Sequence, residues 1–181
     1  MLRSIITSGF LTLLAFNAHA QSDPWTQHGD WISSAIKSCQ DASADLSPCS
    51  DFSAQALDKL LGTNEFCGGT HCLLAVEIEA ELRNNPEKWQ LIGGASDQAV
   101  LDKARELATN GHIVVAAHSE DSLGQIAIIM PGRPVASGKW SMDRVPLGAA
   151  ARYAAPDKSV YGGGINWVFS DPQRVTLYNR R

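Results

Sequence analysis

Apolar positions between Pro24 and Cys39 fall at three- and four-residue steps, so that Trp31, Ile32 and Ile36 can share one face of a helix. The pattern returns in "CSDFSAQALDKLLG" (49–62), where Phe52, Ala56, Leu57, Leu60 and Leu61 form a stripe. Pro48 precedes this stripe and Gly62 follows it, which are helix start and stop signals. The intervening "DASADLSP" (41–48) is polar and turn-like. A loop with paired glycines, "GTNEFCGGTHC" (62–72), leads into another helical segment, "LLAVEIEAELRN" (73–84), which ends at a turn around Pro86. "SDQAVLDKARELATNG" (96–111) predicts a further helix, with Ser96 as its N-cap and Asn110-Gly111 as its stop.

Beyond Gly111 the period changes. "HIVVAAH" (112–118) and "QIAIIM" (125–130) are short, apolar and β-branched, as strands buried on both faces are, and the second is expected to stop at Pro131-Gly132. If 119–124 is the loop of a hairpin, residue 118 lies opposite 125, 116 opposite 127 and 114 opposite 129. "INWVFS" (165–170) and "RVTLYN" (174–179) predict a second hairpin across Asp171-Pro172, and the glycines at 162–164 read as a turn. Helices first and antiparallel strands last indicate an α+β fold, with N-terminal helices packed on a small antiparallel sheet. No repeat or long linker divides the chain, so residues 21–181 read as a single domain.

The first twenty residues have the pattern of a cleavable leader. Arg3 supplies the positive start, Ile5 to Phe16 is mostly apolar, and Ala18-His19-Ala20 matches a small-x-small cleavage site. The apolar run falls short of the roughly 20 residues that span a bilayer. Export to the periplasm or beyond, with cleavage after Ala20 and no integral membrane segment, is the expectation. The chain carries 15 basic and 19 acidic residues, dispersed along its length. With no basic stripe, nucleic acid and anionic membrane are not expected partners.

An exported chain with four cysteines, Cys39, Cys49, Cys67 and Cys72, suggests disulfides, and four allow three pairings. Cys67 and Cys72 are placed to close a small loop. Cys49 has two readings. At the first turn of a helix, free backbone N–H groups and the helix dipole stabilise a thiolate and make a nucleophile. A bridge to Cys39, ten residues earlier, would leave none.

The stretches "PCSDFSAQALDKLLG", "ARELATNGHIVVAAH" and "LGQIAIIMPG" together resemble the papain-fold cysteine amidases of bacterial cell walls. These are the NlpC-type and CHAP-type peptidases and the interbacterial amidase toxins related to them. The resemblance spans roughly residues 45–140, and the order of elements carries it as much as the short motifs do. It implies a papain-like domain and an exported hydrolase that cleaves amide bonds in peptidoglycan stem peptides without a cofactor. An acyl-thioester on Cys49, later hydrolysed by water, would be its intermediate. By the same resemblance Cys49 matches the nucleophile, and Gln125 stands where the family has its catalytic histidine.

That departure has a chemical consequence. A carboxamide does not titrate near neutral pH, so Gln125 cannot take the thiol proton or return it to a leaving amine, although it can hydrogen-bond an acyl oxygen. Loss of a general acid–base typically costs about 10²–10⁴ in rate. His118 is the candidate replacement, since opposition to Gln125 would bring it within about 4.5–5.5 Å, Cβ to Cβ, on the same sheet face. The alternative is a strand-end histidine bonded locally or facing water.

The family's third polar residue is expected from "VASGKWSMD" (135–143), which holds Ser137, Ser141 and Asp143. His28 sits on the first helix with no partner visible in the sequence, His112 starts a strand after a helix stop and reads as structural, and the segment around His71 lacks the second half of a zinc site. Most of the five tryptophans are expected in the core. The competing reading of the whole chain is a catalytically degenerate relative, with Cys49 bridged to Cys39, that binds cell-wall peptide or a periplasmic protein partner.

Overall fold

The computed structural model describes residues 23–118 and 124–181. The expected leader (1–20) and residues 119–123 of the hairpin loop lie outside the described residues. Helix α1 runs Pro24–Gln40, and the Asp23 carboxylate caps it by accepting from the Trp25 backbone N–H at 3.1 Å. A short turn of helix, α2 (Ser47–Ser50), is divided by Asp51 from α3 (Phe52–Leu61). The single helix expected over 49–62 is therefore two pieces. After α4 (Ala75–Asn84) come strand β1 (Trp89–Gly94) and helix α5 (Gln98–Thr109). Asp97, not Ser96, caps α5, accepting from the Ala99 N–H at 2.8 Å. The remaining strands are β2 (Val114–His118), β3 (Gln125–Ser137), β4 (Met142–Ala150), β5 (Val160–Gly164) and β6 (Thr176–Arg180).

The six strands form one sheet in the order β1-β6-β2-β3-β4-β5, and every neighbouring pair is antiparallel. The fold is mixed α+β. Alternation along β2 and β3 feeds two cores, because successive side chains point to opposite faces. Val115, Ala117, Ile126 and Ile128 pack with residues of α1, α3 and α4, including Ile32, Leu57 and Ile78. Val114, Ala116, Ala127 and Ile129 pack with Leu101, Ala104 and Ala108 of α5. The helices thus cover both faces of the sheet, α1 to α4 on one and α5 on the other.

Three expectations about strands are corrected. β3 does not stop at Pro131-Gly132 but continues to Ser137, because its register against β4 shifts between Met130 and Val135. An irregularity of that kind is where a strand tolerates a proline. The segment 165–170 is not a strand: Ile165–Trp167 forms a 3₁₀ turn, and Ile165, Val168 and Phe169 are buried at helical rather than alternating spacing. β6 accordingly has no hairpin partner there and lies between β1 and β2. The glycines at 162–164 form the end of edge strand β5 rather than a turn.

The loop between α3 and α4 is organised by Asp58, which is 7% exposed. Its carboxylate accepts from the Thr63 hydroxyl (3.1 Å) and from the backbone N–H groups of Phe66 (3.1 Å) and Cys67 (2.8 Å). Cys67 and Cys72 are joined, in keeping with their spacing. Among the described residues no helix is long and apolar enough to cross a membrane.

Candidate functional site

Cys49 lies in α2 with its sulfur bonded to Cys39, and the two Cα atoms are 4.8 Å apart. The nucleophile expected there is corrected on two counts. A bridged sulfur has no thiolate to offer. The helix expected to stabilise one is a four-residue turn whose Cys49 N–H is already committed to Leu46 O at 2.9 Å. No described cysteine is free.

Cys49 nonetheless borders a cleft of about 390 Å³. One wall comes from the α2–α3 segment through Ser50 and Ser53, and the opposite wall from Gly124 and Gln125 at the head of β3. Leu74 and Tyr153 form its rim, and both are exposed, at 44% each. Gly124 packs against the start of α4. Its φ is +62°, and a Cβ on it would lie 2.8 Å from the Val76 backbone nitrogen, so the chain passes against α4 only because the side chain is missing.

Gln125 lines this cleft, but its carboxamide is occupied. Nε2 donates to Ile126 O (3.0 Å) and to Ala151 O (3.1 Å), tying the head of β3 to the residue that follows β4. Both amide hydrogens are spent on the backbone, and none remains to polarise an acyl group.

His118 pairs directly with Gln125, with Ala116 opposite Ala127, in the register expected from the loop length. Alternation places it on the side of Ala116 and Ala127, which belong to the α5 core, whereas Cys49 belongs to the core beneath α1 and α3. His118 lines a different cleft, beside Trp167 and Asp171. His118 is absent from the lining of the Cys49 cleft, so the replacement role expected of it has no geometric support there. Ser137, Ser141 and Asp143 lie at the far end of the β3–β4 hairpin, where the Ser137 hydroxyl accepts from the Trp140 N–H at 3.1 Å. None of the three lines the Cys49 cleft.

Among the described residues the cleft is lined by the Ser50 and Ser53 hydroxyls, a committed carboxamide, the Tyr153 phenol and an apolar rim. This set can hydrogen-bond and enclose a ligand. Leu74, Ser53 and Tyr153 gave no signal in the sequence, because the approach of α3, the start of α4 and the turn after β4 selects them rather than any motif. A comparison with protein-family models finds no match along the chain, and a search of curated proteins finds none either.

Proposed function

We propose that the chain is an exported, papain-like but non-catalytic relative of the cell-wall cysteine amidases, and that it binds a peptidoglycan stem peptide in the cleft at Cys49. The observation that carries this reading is the Cys39–Cys49 bridge, which occupies the one sulfur that the resemblance assigns to catalysis. Two disulfides also suit the oxidising compartment to which a leader would deliver the chain. The Ser53 hydroxyl suits a peptide backbone, the Ser50 hydroxyl being spent on Ser47 O and the Asp51 carboxylate, and Leu74 and Tyr153 suit short apolar side chains.

The test has two arms on the non-reduced protein. Thiol titration is expected to find no reactive sulfur, and purified sacculi are expected to release no new amino groups. In the second arm a sugar-free stem tetrapeptide binds, and Tyr153→Ala weakens it by about tenfold, or about 1.4 kcal/mol. A titratable Cys49 together with sacculus digestion lost in Cys49→Ala would overturn the reading in favour of a hydrolase. Absence of tetrapeptide binding would overturn it outright.

A further inference from the structure

Four of the five tryptophans are packed: Trp25, Trp89 and Trp140 are at most 6% exposed, and Trp31 lies partly buried against the core. Trp167 is the exception at 69%. Lys59 lies 4.7 Å over the ring of Trp31 and Arg180 5.2 Å from that of Trp89, and no comparable cation covers Trp167 among the described residues. Its ring stands between two clefts, of about 280 Å³ and about 710 Å³, and Lys139 and Arg152 line both together with it. The smaller adds His118 and Asp171, and the larger adds Lys158 and Asp157.

Three cations, Lys139, Arg152 and Lys158, and two carboxylates, Asp157 and Asp171, thus line the clefts beside an exposed aromatic face. The position of Arg152 is fixed from below. Its backbone N–H donates to Ser159 Oγ at 2.9 Å, and that same hydroxyl lies 3.2 Å from Cys39 Sγ of the bridge.

We propose that this groove binds an acidic sugar, a pyranose ring bearing a carboxylate. The apolar C–H face of the ring lies on Trp167, where burial of an aromatic surface supplies the apolar contact. The carboxylate meets Arg152 and Lys139, since a guanidinium matches carboxylate geometry with two parallel N–H donors. Asp157 and Asp171, one toward each end, accept hydrogen bonds from ring hydroxyls. The site goes beyond the stem-peptide reading and does not rest on it, although Gln125 and Ala154 border both the Cys49 cleft and the smaller of these two.

The test follows the indole N–H resonances of ¹⁵N-labelled protein during titration, with the Trp167 signal identified by its loss in Trp167→Ala. N-acetylmuramic acid and glucuronic acid are the acidic-sugar probes. N-acetylglucosamine is the neutral ring, and lactate the carboxylate without a ring. An acidic sugar shifts the Trp167 resonance, and the tighter of the two identifies wall glycan or another polysaccharide as the source. N-acetylglucosamine and lactate each bind at least tenfold more weakly, and Arg152→Gln lowers acidic-sugar affinity at least tenfold. Trp167→Ala does the same, read by the shifts of the remaining backbone signals, and leaves stem-tetrapeptide binding unchanged. Equal affinity for N-acetylglucosamine overturns the role of the cations, and equal affinity for lactate overturns the role of the ring. No shift with either acidic sugar overturns the site altogether.

Discussion

Glu65 shows how one exposed residue links distant parts of the chain. Its carboxylate accepts from the Arg180 guanidinium at 2.9 Å and 3.1 Å and lies 3.4 Å from the Lys88 ammonium. The hydrogen bond from Arg180 holds its carboxyl below the usual glutamate range, burial opposes this, and the charges of Arg180 and Lys88 assist it. A folded-state pKa below the unfolded value of about 4.3 makes the pair stabilising above that pH, and the contribution is lost as pH falls through the folded value. Glu65→Gln is therefore expected to melt about 1–3 °C lower at pH 7, the scale of a solvent-screened pair. The gap from wild type should close as pH falls below about 4, and a gap independent of pH would count against the pair. No local pattern in the sequence announces this contact, since 115 residues separate Glu65 from Arg180. The same holds for Asp58, whose partners lie in the loop that it organises. The pairing of His118 with Gln125 was legible, because a short loop between two apolar runs fixes register. Which core each residue would face was not, since that depends on where the helices dock.

The head of β3 passes tightly against the start of α4 at Gly124. Replacement by alanine combines two costs there: a positive φ, worth about 1–2 kcal/mol, and overpacking against Val76 and Ala75, typically about 1–3 kcal/mol. Gly111 separates them, since its φ is +84° but a Cβ added there would meet nothing within 4 Å. Gly111→Ala is expected to cost only the backbone share, and Gly124→Ala more, read as a larger drop in urea midpoint at an unchanged slope. Equal costs would mean that the contact with α4 yields freely. At this scale the helices were largely readable from apolar stripes and stop signals. The segment 165–170 was not, because a short apolar run fits a strand or a buried turn equally until its burial spacing is known. β1 was missed for a related reason: Leu91 on it is 61% exposed, and its burial does not alternate cleanly.

The whole molecule depends on a strand far from its neighbours in sequence. β6 bonds to β1 on one side and to β2 on the other, and β1 has no other strand partner in the sheet. A chain ended at Val175 is expected to lose its cooperative unfolding transition by circular dichroism, since Leu177 and Tyr178 leave both cores and β1 is detached. A transition retained with the wild-type slope would show that β6 is dispensable. The order of synthesis gives this arrangement a further meaning. Residues 89–94 have nothing to zip onto until those some ninety positions later have been made, so the sheet cannot close before then. Until then the unfinished sheet leaves both hydrophobic layers open and the chain pliable.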